Sequence, residues 1–213
     1  MYTLVDMERD PRREQFRLFQ TYADPTVGIT VKVDVSNLVR FCKERHFSFY
    51  AAMTRVVMLS ANRVKELRRR IHGSEVREYD SCSASITELA ENGVYYYCTL
   101  LPQKDWETFI PYAESARTEK RAQPSLQEEE DVESQLFITC TPALHYEQLI
   151  LPYNAGKISN PDISWGRYEK DWQGRYMLPL TLRCHHALAD GVHIAAFYKH
   201  VEEELDGLPP MKI

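Results

Sequence analysis

The run Arg183–Phe197, "RCHHALADGVHIAAF", puts two histidines, an aspartate and a glycine at one strand-to-helix turn. A neutral imidazole is the side chain best matched to general-base work near neutral pH. His185 and His186 follow a strand-like segment closed by Cys184. Asp190 precedes an amphipathic segment, where a carboxylate can cap the first turn of a helix. Gly191 tolerates backbone conformations that other residues resist. Two readings fit this spacing: a histidine fixed by its neighbours as a base, or a packed histidine pair beside a capping aspartate. A metal site made of His185, His186 and His193 fits less well, because a strand-turn-helix path points the three side chains in different directions.

The turn needs elements on both sides. Tyr176–Cys184 and Ile163–Tyr168 read as strands bracketing the hairpin "EKDWQG", and after Gly191 a helix buries Ile194, Phe197, Tyr198, Val201 and Leu205. Upstream, Thr3–Met7 reads as a short strand and Arg12–Tyr22 as a helix. Val27–Val35 reads as a β-branched strand. Ser36 is placed as the N-cap of "NLVRFCKERH", and Ser48 or Phe49 opens a long helix buried on most sides. Glu75–Tyr79 and Ser83–Leu89 read as strands around a turn, and "ENG" at 91–93 as a hairpin signal before "VYYYCTLL". Trp106–Arg121 is helical, Gln123–Gln135 is a solvated loop carrying the acidic run 128–131, and Leu136–Thr141 is a strand. The following "PALHYEQLILPYNAG" is apolar but broken by prolines. With no repeat and no linker, the sum is one α+β domain over 1–213: a mixed, mostly antiparallel sheet with helices on one side.

Composition narrows the function. The 213 residues are 44% hydrophobic and 27% charged with a net charge of −5, an ordinary globular balance with no basic field to gather phosphates. Nucleic acid is therefore not an expected partner. The cluster Arg68-Arg69-Arg70 reads as a solvated face. Five scattered cysteines without CxxC spacing, and an N-terminal stretch without an apolar signal region, read as buried free thiols in a cytoplasmic protein. No tetrahedral ligand spacing suggests zinc.

The segment "HHALADG" resembles the HHxxxDG signature of the chloramphenicol acetyltransferase family and, more distantly, of the catalytic domain of dihydrolipoamide acyltransferases. Four segments, the last containing this signature, run along the chain in the family's order. "VDMERDPRREQFRLF" resembles the family's opening strand, turn and "RxEHF" helix, and "FSFYAAMTRVVMLSANRVKELRRRI" its "KFYP" helix and "ELR" segment. "REYDSCSASIT" resembles its "VWDSVxPxFT" strand, and "MLPLTLRCHHALADGVHI" its "LLPLxxQVHHAxxDGFHV" strand and helix. The resemblance implies a chloramphenicol acetyltransferase-like sandwich assembled as a homotrimer. It implies acetyl-CoA as donor, entering by a long channel, and a catalytic histidine that faces an acceptor pocket on the neighbouring subunit.

Carried over residue by residue, the resemblance makes His186 the base and Asp190 a structural carboxylate paired with Arg12 in "DPRREQF". The family's oxyanion-donating serine, in a pattern like "PWxxFxSF", meets "PALHYEQL" at 142–149; the tryptophan becomes Ala143 and the serine becomes Gln148, whose amide can donate. In the acceptor pocket the first-helix aromatic is kept as Phe19. The "CGF" stretch becomes Pro25-Thr26-Val27, losing a thiol and a stacking ring, and a hairpin-strand threonine becomes Ser164. The expected function is CoA-dependent O-acetyl transfer, with chloramphenicol as the family's acceptor. The alternatives are the same fold acting on another alcohol or amine, or a catalytically weak trimeric binding module.

Overall fold

The computed structural model describes residues 1–127, 131–153 and 158–209. In chain order they form β1 (Tyr2–Leu4), α1 (Arg13–Phe19), β2 (Thr26–Asp34), α2 (Ser36–Arg45), α3 (Phe49–Asn62), a 3-10 turn (Lys65–Arg68), β3 (Arg69–His72), β4 (Glu75–Tyr79), β5 (Ser83–Leu89) and β6 (Tyr95–Leu100). They continue with α4 (Trp106–Ala122), a second 3-10 turn (Val132–Ser134), β7 (Gln135–Thr141), β8 (Asp162–Gly166), β9 (Glu169–Lys170), β10 (Tyr176–His185) and α5 (Gly191–Asp206).

The larger sheet has the order β2-β10-β8-β7-β5-β6, with β9 pairing β10 as a seventh strand. Among the described residues only the β5–β7 and β7–β8 pairings are parallel. The fold is thus the α+β arrangement expected from the pattern. One face of the sheet carries Ile86, Ile138, Ile163, Trp165, Leu180 and Leu182, and these pack against α2, α3, α4 and α5 in one apolar core. Helix α3 buries ten residues, including Met53, Val56, Val57 and Met58, which accounts for its near-continuous apolar sequence. Tyr198 locks α5 to the sheet. Its hydroxyl accepts from Leu182 N–H at 3.1 Å and lies 2.8 Å from the Leu180 carbonyl and 2.7 Å from that of Ile29.

Several local expectations are corrected. Glu75–Tyr79 and Ser83–Leu89 do not pair around a turn; β4 joins β1 and β3 in a separate three-stranded sheet, and β5 enters the larger one. Ser36 lies inside α2, whose N-cap is Val35; its Oγ instead accepts from Tyr176 N–H at 2.8 Å, tying α2 to β10. The helix expected over Arg12–Tyr22 closes at Phe19, ahead of Pro25, and β1 is displaced toward the N-terminus. The acidic loop holds a 3-10 turn and ends in buried Gln135, while residues 128–130 of its acidic run and 154–156 of the proline-broken segment lie outside the described residues.

The arginine run is the largest departure. Arg69 is buried against Asp10 at 2.9 Å and Glu78 at 3.0 Å. Arg70 is fully buried and donates to the carbonyls of Leu67, Arg69 and Gln135 at 2.7–2.9 Å. Guanidinium has five donors in a fixed fork, so it can bind several carbonyls where no solvent reaches. Arg70 thereby joins the small sheet to the large one, and Arg69 ties the small sheet to the segment before α1.

Candidate active site

The turn after β10 is anchored from below. Ala187, Leu188, Phe16 of α1 and Val76 of β4 form a second apolar cluster, flanked by Val5, Met7, Phe19 and Ile71. The apolar residues between the two histidines and Asp190 therefore pin the turn to α1 and the small sheet. Backbone bonds from Leu188 N and Ala189 N to the His185 carbonyl, at 3.0 and 3.1 Å, close the turn.

The two histidines have different surroundings. His185 ends β10 and is buried; burial, with the neighbouring His186 adding to it, pushes its pKa down to about 4. Its Nδ1 accepts from Ala187 N–H at 3.3 Å, so it remains a neutral packing group at neutral pH. His186 is half-buried. Its backbone N–H donates to the Pro25 carbonyl at 2.7 Å, and its ring stacks on Phe19 with centroids 3.9 Å apart and an angle of 14°. Nδ1 lies 3.0 Å from the Ala189 carbonyl. A carbonyl only accepts, so this contact places a proton on Nδ1 and makes Nε2 the basic nitrogen of the neutral ring.

Asp190 caps α5, accepting from Val192 N–H at 3.3 Å. Its other oxygen binds Arg12 Nη1, and Arg12 Nη2 donates to the His186 carbonyl at 3.0 Å. Burial opposes ionisation of Asp190, but the hydrogen bond and charge of Arg12, with His193 adding to them, hold its carboxyl below the ordinary value. Gly191 adopts no left-handed conformation, contrary to the reason first given for it. It is the first residue of α5, and a Cβ there would meet nothing within 4 Å. Its bare backbone borders an open groove of about 310 Å³ lined by Ile29, Val31, Ile194 and Tyr198.

Ser164 stands apart from this group. It pairs in register with Thr181, four residues before the His185 end of β10, or roughly 13 Å along the strand. The structure therefore gathers Arg12, Phe19, Pro25, His186 and Asp190 at one end of β10. Val27 lies beside Cys184 on β2, and Ser164 sits nearer the middle of the sheet. A row of hydroxyls crosses the sheet there. Thr30 and Thr181 lie 2.8 Å apart, and Thr181 donates to Tyr146 at 3.4 Å; Tyr146 donates to Ser164 at 3.5 Å, and Thr139 is next in register.

Tyr146 reaches this row because the strap 142–148 lies directly on β8. Arg167 N–H donates to the Leu144 carbonyl at 2.6 Å. A Cβ on Gly166 would come within 2.4 Å of that carbonyl oxygen and 3.0 Å of the Tyr146 ring, so glycine is what lets the strap approach. Burial holds the Tyr146 phenol above its ordinary pKa. Gln148 follows two residues later and is exposed.

The family model described as chloramphenicol acetyltransferase matches residues 1–202. The chain belongs to the chloramphenicol acetyltransferase family. With that membership it is an acyltransferase. It is 24% identical to chloramphenicol acetyltransferase of Proteus mirabilis over 95% of this chain and 94% of that protein. It is also 24% identical to chloramphenicol acetyltransferase 3 of Escherichia coli, over 95% and 96% of the two chains. Among solved structures, a chloramphenicol acetyltransferase superposes with a TM-score of 0.84 at 24% identity, covering 96% of this chain and all of that one. A probable dihydrolipoamide acetyltransferase from Listeria monocytogenes shares the fold more distantly, with a TM-score of 0.69 at 16% identity over 95% and 92% of the chains. Among the described residues no helix is long and apolar enough to cross a membrane.

Three features of this region were not legible from residue spacing: the Ala189 carbonyl that holds the His186 ring, Tyr146 in the hydroxyl row, and His193 against Asp190. Only the last had a sequence signal, its place three residues after the cap.

Proposed function

We propose that the protein transfers an acetyl group from acetyl-CoA directly to an acceptor hydroxyl, with His186 as general base. The observation that carries this reading is the pinned imidazole: Nδ1 held on the Ala189 carbonyl and the ring stacked on Phe19. Nε2 removes the acceptor proton as the acceptor oxygen attacks the thioester carbonyl carbon. The carbonyl electrons move onto oxygen, and Gln148 donates a hydrogen bond to that oxyanion. Collapse re-forms the carbonyl, breaks the carbon–sulfur bond and releases CoA as thiolate, which takes the proton back from Nε2. Arg12 and Asp190 keep the turn in place and touch neither substrate.

The separation of Ser164 from His186 supports a homotrimer in which the base of one subunit works on a pocket of the next. The donor, the acceptor and the cytoplasmic setting are those of a chloramphenicol-modifying resistance enzyme. Acceptor contacts fall to Phe19, Pro25, Val27 and Ser164, and no step needs a metal. A second acceptor, a smaller or more polar alcohol or amine, is favoured by one observation: Tyr146 already occupies the Ser164 hydroxyl. Thiol release from acetyl-CoA is measured against chloramphenicol and a panel of alcohols and amines. Acceptor-dependent release supports the reading; none with any acceptor contradicts it and favours a binding module.

A further inference from the structure

We propose that His193 is a positioning residue for the base, gripping from its N–H side the same peptide unit whose carbonyl holds the His186 ring. The inference rests on the reading of His186 as base. The geometry lies in one planar group. The Ala189 carbonyl is 3.0 Å from His186 Nδ1, and the N–H of the next residue, Asp190, is 3.1 Å from His193 Nδ1. In a trans peptide these two groups point in opposite directions from a rigid plane, so a rotation that loosens one loosens the other.

His193 is the third residue of α5 and completes a capping box with Asp190. Its Nδ1 also lies 2.8 Å from Asp190 Oδ1, while Nε2 faces Glu66 Oε1 at 3.7 Å. With its proton on Nε2, His193 accepts from the Asp190 N–H through Nδ1. With a proton on Nδ1, it donates to the Asp190 carboxylate. Either form restrains Asp190, which carries Arg12, which in turn holds the His186 carbonyl. The His193 and Glu66 side chains are only 18% and 11% exposed, so water competes weakly for these contacts.

Two substitutions separate a hydrogen-bonding role from packing. His193→Gln supplies an amide that can reach back to the cap N–H, as glutamine does at this position of a capping box. His193→Leu fills space without an acceptor. The first readout, nitrogen-15 NMR of histidine-labelled protein with the His186 signals assigned through His186→Ala, needs no activity. The wild-type and Gln proteins are expected to carry the His186 proton on Nδ1, and the Leu protein a mixture of tautomers. The second readout is kinetics: His193→Leu lowers kcat about tenfold with KM for acetyl-CoA within about twofold, whereas His193→Gln stays within about threefold of wild type. A Leu protein with the wild-type tautomer and kcat, or a Gln protein as impaired as the Leu protein, overturns the inference. If His193→Leu does not fold, His193→Gln decides: kcat within about threefold supports the role and a loss of about tenfold overturns it. A wild-type protein that carries the proton on Nδ1 but releases no thiol contradicts the acyl-transfer reading and leaves the positioning role standing. One that transfers acetyl with the proton elsewhere overturns the positioning role alone.

Discussion

Replacing Asp190 by asparagine separates two tasks of one carboxylate. Asparagine caps helices about as well as aspartate, so the contact to Val192 N–H is kept. What is lost is the charge facing Arg12. The Arg12 side chain is 12% exposed and that of Asp190 is 32%, so the pair lies between the buried and the surface regimes. Breaking a fully buried pair costs about 3–5 kcal/mol and an exposed one about 0–1 kcal/mol, which puts this substitution near 2 kcal/mol. For a chain of this size that is a fall in Tm of roughly 4–8 °C. Asp190→Ala also removes the cap and costs about 1 kcal/mol more. Melting is followed by circular dichroism at one protein concentration, because association shifts Tm. The pH dependence has a fixed sign. The Asp190 carboxyl is held below its unfolded value, so the stabilisation is complete at neutral pH and is lost as pH falls through the folded pKa. The gap between wild type and the Asn variant therefore narrows below about pH 4. Equal Tm values at pH 7, or a gap that does not narrow in acid, would refute a role for the ion pair.

Other consequences follow from the same geometry. His185 is buried as the neutral ring with its pKa near 4, so stability falls as pH drops from its unfolded value of about 6.5 toward 4. The slope approaches 1.4 kcal/mol per pH unit; acid titration of stability shows it, and His185→Asn flattens it. Gln148→Ala should lower thiol release by about a hundredfold, as loss of an oxyanion donor does, and Gln148→Ser should restore part of it. An unaffected Ala variant moves the donor role to Tyr146 or Thr141. Sedimentation at micromolar concentration should find a trimer, and a monomer alone contradicts a site shared between subunits.

The sequence made most of the frame legible where one face of an element is buried. Alternation in β2 and β10 and the apolar run of α3 leave little choice of structure. The Asp190 cap was legible because a carboxylate before an amphipathic run has a local meaning. The small sheet was hidden because β3 opens on the charged pair Arg69-Arg70, whose burial depends on Glu78 across the hairpin and on Asp10 and Gln135, which are distant in sequence. The group that holds the His186 ring was hidden for another reason. It is a backbone carbonyl, and no residue type announces which carbonyl will face a ring. The strap likewise depends on Gly166, whose role is visible only once Leu144 and Tyr146 lie on top of it.

The central claim is that His186 is the base, and the most direct measurement is the turnover of His186→Ala. Thiol release and acetylated product are followed with acetyl-CoA and the best acceptor found for the wild-type protein, and the fold of the variant is checked by its circular dichroism and Tm. The account predicts a folded protein whose kcat is down by at least about a hundredfold, the loss typical of a positioned general base, while His185→Asn at pH 7.5 keeps most of its activity. A folded His186→Ala protein that turns over at the wild-type rate would contradict it.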